Sequence, residues 1–316
     1  MQAAVINALD EAPRYQSFPE AVAGEGEVLI NVRAAGLHPV VKALASGSHY
    51  SGKGEVQSVP GIDGVGTLED GTRVYFTFVR KPWGSMCERT VAPRAKCFLI
   101  PDGLDDAQAA AIANPGMSAL LSLKDRAALQ KGETLLILGA TGVAGQLAIQ
   151  VAQHLGAKRV IAAGRNVEAL AVHELDAIIP LGQSEDAVRD AFAVEADGGI
   201  DVVLDYLWGR PTELLLEALA MNFSAKAKRP TRLIEVGESA GKSIRLAGAT
   251  LRSVDLKMMG SGFGSVSLDV VLDAIPTLFS LAAAGTLRVL VEPVLLADVE
   301  TVWNRIEKGR RMVFML

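Results

Sequence analysis

The residues best equipped for chemistry fall in one stretch, TLLILGATGVAGQLAIQVAQHLGAKRVIAAGRN, at positions 134–166. An apolar run ends at Gly139, and the turn Gly139, Ala140, Thr141, Gly142, Val143, Ala144 and Gly145 carries glycine at every third position. A segment with apolar residues at helical spacing follows, and a second apolar run covers 160–163. Glycine is needed where a backbone turns sharply, where it approaches a diphosphate closely, and where a helix packs against a strand. The free N–H groups that open the helix then face the diphosphate and stabilise its charge. Glycine spacing alone is a weak signal; within a complete strand–turn–helix–strand unit it points to a dinucleotide site.

The end of the second run selects the cofactor. A site for NAD commonly places Asp or Glu there, accepting hydrogen bonds from the ribose hydroxyls. Here the sequence reads Gly164, Arg165, Asn166. With no carboxylate to repel a 2′-phosphate and an Arg to pair with it, NADPH is the expected cofactor. Two other signatures fail. The string VGESAGKS at 236–243 looks like a phosphate-binding loop, but that motif sets its glycines five positions apart and position 236 is Val. The Tyr-x-x-x-Lys pair of short-chain dehydrogenases is absent, since Lys53 follows Tyr50 by only three positions.

These residues need elements to hold them. From position 134 onward, strand candidates at 134–139, 159–164, 177–181, 200–205, 232–237 and 254–260 alternate with helical segments, one of them carrying Val143, Leu147, Val151 and Leu155. Such alternation predicts an α/β, doubly wound parallel sheet with helices on both faces. Before it, short apolar runs at 3–6, 28–32, 74–78 and 97–100 read as strands, with one short helix after Pro39. The segment from Asp105 to Gly132 reads as helical. After the alternating region come a helix over about 268–284, a strand near 288–295, a helix with Val299, Val302 and Ile306, and a strand at 312–316.

Composition bounds the function. A length of 316 residues favours two domains. A net charge of −5 leaves no surplus of Lys and Arg for a nucleic-acid partner, and the cluster Lys226, Lys228, Arg229 reads as a solvated loop. Two cysteines, Cys87 and Cys97, make no disulfide framework and fit a reducing compartment. The N-terminal segment has no secretory pattern, and the uncharged stretch 274–287 is too short to span a bilayer, so a cytoplasmic protein without a membrane partner is expected.

The order of local strings resembles the zinc-independent quinone oxidoreductase (zeta-crystallin-like) branch of the medium-chain dehydrogenase/reductase superfamily. Gly36-Leu37-His38-Pro39, then Ser46-Gly47-Ser48-His49-Tyr50, is similar to that branch's Gly-x-Asn-Pro and Ser-Gly-x-Tyr. Pro60-Gly61-Ile62-Asp63-Gly64-Val65-Gly66 resembles its Pro-Gly-x-Asp/Glu-Gly-x-Gly, and the strings at 84–93, 201–206, 233–237 and 310–316 resemble further landmarks. The resemblance implies a Rossmann dinucleotide-binding domain over 113–262 and a β-rich GroES-like catalytic domain over 1–112 completed by 263–316. Zinc-dependent relatives carry Cys where His38 stands and His-Glu where Ile62-Asp63 stand, so no metal site is expected.

The implied reaction is reduction of a quinone or an α,β-unsaturated carbonyl by NADPH. Tyr50 or His38 is the candidate donor to the carbonyl oxygen as negative charge develops on it. By the same resemblance, and because open α/β sheets bind ligands where strands end, Asp205, Tyr206, Val236, Gly237 and Ser261 are further cofactor contacts. Phe78, Trp83 and Met86 are candidates to line the acceptor pocket. A homodimer, with the apolar strand at 256–259 as its edge, is implied as well. The competing readings are an enoyl-thioester reductase, with Lys42, Lys53, Arg80 and Lys81 as a basic rim, and a non-catalytic NADPH-binding sensor or structural protein.

Overall fold

Short apolar and β-branched runs cut by Gly, Pro and Asp become strands in the computed structural model, which describes residues 1–170, 172–221, 230–262, 264–306 and 309–316. In chain order they begin with β1 (Gln2–Val5), β2 (Arg14–Ser17), β3 (Glu27–Gly36), helix α1 (Pro39–Ala45), β4 (Asp63–Thr67), β5 (Arg73–Thr77), β6 (Arg89–Pro93) and β7 (Cys97–Leu99). Next come α2 (Asp106–Leu121), β8 (Thr134–Leu138), α3 (Val143–His154), β9 (Arg159–Gly164), β10 (Ala177–Pro180), α4 (Glu185–Gly198), β11 (Val202–Asp205) and α5 (Gly209–Met221). Then follow β12 (Thr231–Glu235), α6 (Gly248–Ser253), β13 (Leu256–Gly260), α7 (Leu268–Ala283), β14 (Leu290–Leu295), α8 (Val299–Val302) and β15 (Arg310–Met315). The basic cluster Lys226, Lys228, Arg229 lies outside the described residues.

The chain divides into two compact units, one of Met1–Asn114 with Leu272–Leu316, the other of Pro115–Val271. In the second unit six parallel strands run in the order β10-β9-β8-β11-β12-β13. The chain order reverses between β8 and β11, which is the switch point where such sheets open a crevice at their carboxyl ends. Leu135, Leu136, Ile137 and Leu138 of β8 are all 0 % exposed. Burying each contributes roughly 2 kcal/mol, so the strand that carries the glycine turn is anchored firmly. Val143, Leu147 and Val151 form the buried face of α3, as their four-residue spacing predicts.

In the first unit a mixed sheet runs β14-β15-β3-β4-β5-β7, with β6 also pairing β3 and the hairpin β1-β2 separate. Among the described residues only β14 and β15 pair in parallel there. One core cluster gathers Val5, Leu37, Val41, Met86, Trp303 and Phe314. Two sequence expectations are corrected. Met86 is 0 % exposed inside this core and lines no open surface. The helix predicted through Ile306 is the single turn α8: Trp303, not Ile306, supplies the buried apolar contact, and Ile306 stands 85 % exposed beyond it.

Candidate functional site

Every cofactor residue expected from the sequence lies at the carboxyl end of a parallel strand in the second unit, in the turn that follows it, or, for Val143, Ala144 and Gly145, in the first turn of α3. Gly139, at φ +85°, takes a conformation closed to most side chains. Its N–H and that of Ala140 both donate to the Ala163 carbonyl, at 2.9 and 3.0 Å, which ties the turn to β9. The helix then starts at Gly142, whose extended backbone (φ −78°, ψ 163°) brings no capping side chain. The N–H groups of the first turn of α3 are therefore left for a ligand, the arrangement that suits an anionic diphosphate.

The other two glycines do different jobs. A Cβ on Gly145 would stand 2.5 Å from Ala140 Cα and 2.9 Å from its carbonyl carbon, so the first turn of the helix packs on the backbone of the glycine turn. A Cβ on Gly142 would meet nothing nearer than the Gly139 oxygen at 3.5 Å. That side of the turn is open, as a ligand approaching the backbone requires. Arg165 and Asn166 are exposed directly after the buried Gly164. No carboxylate occupies these positions, and the residues present fit a 2′-phosphorylated dinucleotide.

Asp205 is placed at the site but faces inward. Its Oδ1 accepts hydrogen bonds from the Leu207 and Trp208 N–H groups at 2.8 and 2.9 Å, and its Oδ2 accepts from Thr212 Oγ1 at 2.5 Å. The carboxylate thus caps the turn into α5, where Trp208 and Gly209 take φ values of +54° and +65°. Its main-chain oxygen accepts from the N–H groups of Val236 and Gly237, at 2.8 and 3.2 Å. Tyr206 has a buried phenol facing Ser118, and burial raises its pKa. The Ser261 hydroxyl accepts from Ser122 Oγ at 2.9 Å. Glu235, half-buried, was not singled out by sequence; burial first, then Asp205 and Glu238, raise its pKa.

The two candidate catalytic residues, both in the first unit, stand in unlike surroundings. Tyr50 is 74 % exposed, and its ring lies against His49, centroids 4.3 Å apart. His38 is 1 % exposed. Its Nε2 lies 3.7 Å from Asp63 Oδ1, beyond hydrogen-bond distance, and the Ala110 carbonyl faces the ring. Gly36 leaves room for it: a Cβ there would stand 2.5 Å from His38 Nε2. Asp63 Oδ2 accepts from Tyr75 Oη at 2.7 Å, and Arg311 Nη1 donates to the Leu37 carbonyl at 2.7 Å. Burial, followed by the Arg311 charge, holds His38 well below the ordinary histidine range. Burial pushes Asp63 up to about 7, against the Tyr75 hydrogen bond and Arg311. Between that pH and the depressed pKa of His38 the pair is a neutral acid beside a neutral imidazole.

The remaining candidates are engaged locally. Trp83 Nε1 donates to the Pro19 carbonyl at 3.0 Å, and Phe78, at φ +58°, lies under Lys96. In the proposed basic rim, Arg80 pairs with Glu27 at 2.9 Å and Lys81 with Glu55 at 2.9 Å. Among the described residues no three His, Cys, Asp or Glu side chains converge to hold a metal ion, and no helix is long and apolar enough to cross a membrane.

Comparison with known proteins agrees with this geometry. No family model matches the chain. A quinone oxidoreductase-like protein 2 homolog of Nematostella vectensis is 28 % identical over 212 residues, 63 % of this chain and 57 % of that protein. The quinone oxidoreductase of Sus scrofa is 33 % identical over 150 residues, 44 % of this chain and 45 % of that protein. The matched segments thus span about half the length of these two relatives, 57 % and 45 %. The quinone oxidoreductase of Thermus thermophilus, solved also in complex with NADPH, superposes with a TM-score of 0.80 at 26 % identity and covers 100 % of both chains. The strand order, the glycine turn and these relatives together place the chain in the quinone-oxidoreductase-like branch of the medium-chain dehydrogenase/reductase superfamily.

Proposed function

We propose that this chain is an NADPH-dependent reductase of quinones or α,β-unsaturated carbonyls that works without zinc. The observation that carries the reading is the glycine turn 139–145 with its open face at Gly142, followed at the end of β9 by Gly164-Arg165-Asn166 and no carboxylate. NADPH bound there supplies a hydride to an electron-poor acceptor. The protein holds the diphosphate on the first turn of α3 and pairs Arg165 with the 2′-phosphate. Burial of His38 leaves Tyr50 as the accessible donor of the two candidates, so Tyr50 is assigned the hydrogen bond to the acceptor's oxygen. Zinc independence is supported by the donor set, since Ile62 offers no ligand beside His38 and Asp63. The apolar edge strand β13 is the proposed seam of a homodimer.

The test is oxidation of NADPH and NADH by the chelator-dialysed protein against quinones, enones, enoyl thioesters and aldehydes. NADPH-preferring turnover of quinones or enones that survives chelation is the expected result. Turnover only after zinc is added, or only of enoyl thioesters, would overturn the reading; tight NADPH binding without turnover would favour a sensor. For the cofactor, Arg165→Ala is expected to weaken NADPH by roughly 1.5–3 kcal/mol, the scale of a charged hydrogen bond, and to leave NADH nearly unchanged. Fluorescence titration with each nucleotide checks this, and equal losses for both would remove the role given to Arg165.

A further inference from the structure

The glycine turn contains one side chain that its backbone does not require. Thr141 stands between Gly139 and Gly142, and the turn is shaped by those two glycines together with Gly145. The Thr141 side chain lies directly on Gly164, the last residue of β9. A Cβ placed on Gly164 would stand 3.1 Å from Thr141 Oγ1 and 3.3 Å from Thr141 Cβ, and closer still to its Cγ2. Glycine at 164 is what allows the threonine to occupy this position. Being β-branched, Thr141 has few χ1 choices, so the hydroxyl is held near the α-carbon that immediately precedes Arg165. Its main-chain carbonyl accepts from Gln146 Nε2 at 3.1 Å, which fixes the peptide, while the hydroxyl bonds to no described group.

We infer that the Thr141 hydroxyl is a second anchor for the adenosine 2′-phosphate, so that Thr141 and Arg165 together set the preference for NADPH over NADH. The inference rests on the nucleotide site proposed above. A hydroxyl donating to a phosphate dianion makes a charge-assisted bond, stronger than the bond it would make with a neutral ribose hydroxyl. The glycine turn and the strand end therefore both contribute to one anion site: a guanidinium from 165 and a short, stiff donor from 141.

The test needs no turnover. Binding of 2′,5′-ADP and of 5′-AMP to the full chain is measured by calorimetry for wild type, Thr141→Val, Thr141→Ser and Gly164→Ala. Thr141→Val keeps the shape over Gly164 and removes the donor. It is expected to weaken 2′,5′-ADP by about tenfold or more while leaving 5′-AMP within about twofold. Thr141→Ser is expected to restore most of the loss. Gly164→Ala, which must push the threonine aside, is expected to erode the same preference, and it remains a test if the valine variant folds poorly. Equal weakening of both nucleotides by Thr141→Val, or no change in either, overturns the inference. Wild-type protein that binds 2′,5′-ADP no better than 5′-AMP overturns the NADPH assignment itself. A preference lost in Arg165→Ala but intact in Thr141→Val and Gly164→Ala overturns the role of Thr141 alone.

Discussion

Asp63→Asn should raise the thermal stability of this protein at pH 8 by about 4 kcal/mol and change it little near pH 4. The size follows from the distance between the ordinary aspartate pKa of 3.8 and the value of about 7 that burial imposes in the fold. Below 3.8 both folded and unfolded chains hold the proton. Between 3.8 and 7 only the folded chain does, so stability falls as pH rises, and above 7 the full penalty of a buried carboxylate is present. Asparagine removes the charge and keeps an oxygen that can accept from Tyr75 Oη, now at 2.7 Å from the carboxylate. His38 runs the other way. Its folded pKa lies well below 6.5, so the unfolded chain binds a proton first as pH drops, and stability falls on acidification from 6.5. In wild type the two slopes oppose each other across the acid range; in the asparagine variant the His38 slope stands alone. Unfolding midpoints of both proteins between pH 4 and 8 check this. A stability difference that stays flat with pH would mean Asp63 does not hold its proton in the fold.

Two glycine substitutions are expected to separate folding from binding. Gly145→Val places branched carbon against the Ala140 backbone, which has no flexible end to move away. A loss above about 3 kcal/mol is expected in the second unit, together with loss of nucleotide binding. Gly142→Ala adds a methyl on the open side of the turn, at a φ of −78° that alanine tolerates. It should leave the melting temperature within about 1 °C while weakening NADPH by about tenfold or more, because the methyl occupies the face that must approach the diphosphate. Melting curves and NADPH titration on both variants decide it. Retained NADPH affinity in Gly142→Ala would show that the diphosphate does not lie on that face.

The sequence carried the shape of the glycine turn well because its requirements are local. Glycine spacing, the apolar run of β8 and the four-residue stripe of α3 are each set within a few residues, and the parallel sheet follows from the alternation that contains them. What it could not carry depends on distant partners. Asp205 does stand at a strand end, yet its carboxylate caps the next turn through Thr212, a contact visible only once the loop is folded. His38, Asp63, Tyr75 and Arg311 come from four separate stretches of chain, and no spacing rule brings them into one buried cluster. The nearest signals were the family resemblance, which sets His38 and Asp63 at matching positions of one site in zinc-dependent relatives, and Gly36, whose missing Cβ makes room for His38. Met86 and Ile306 were misread for a related reason: neither an apolar residue in a loop-like segment nor one at the end of a short helical pattern reveals on which side the core lies.

The pairing of β3 also governs when each unit can fold during synthesis. β15 lies beside β3 with Val313 opposite Gly36, so the first unit's sheet lacks a central neighbour until residues 313–315 have been made. The second unit waits only from β8 to β13, and its six strands are all made before β14 emerges. At about 5–20 residues per second, the Ala34–Gly36 end of β3 lacks its β15 partner for several seconds after the parallel sheet of the second unit can close. The nascent chain therefore carries a finished parallel sheet and an unfinished mixed one, and that unpaired strand end is where a chaperone would be needed and where aggregation would start.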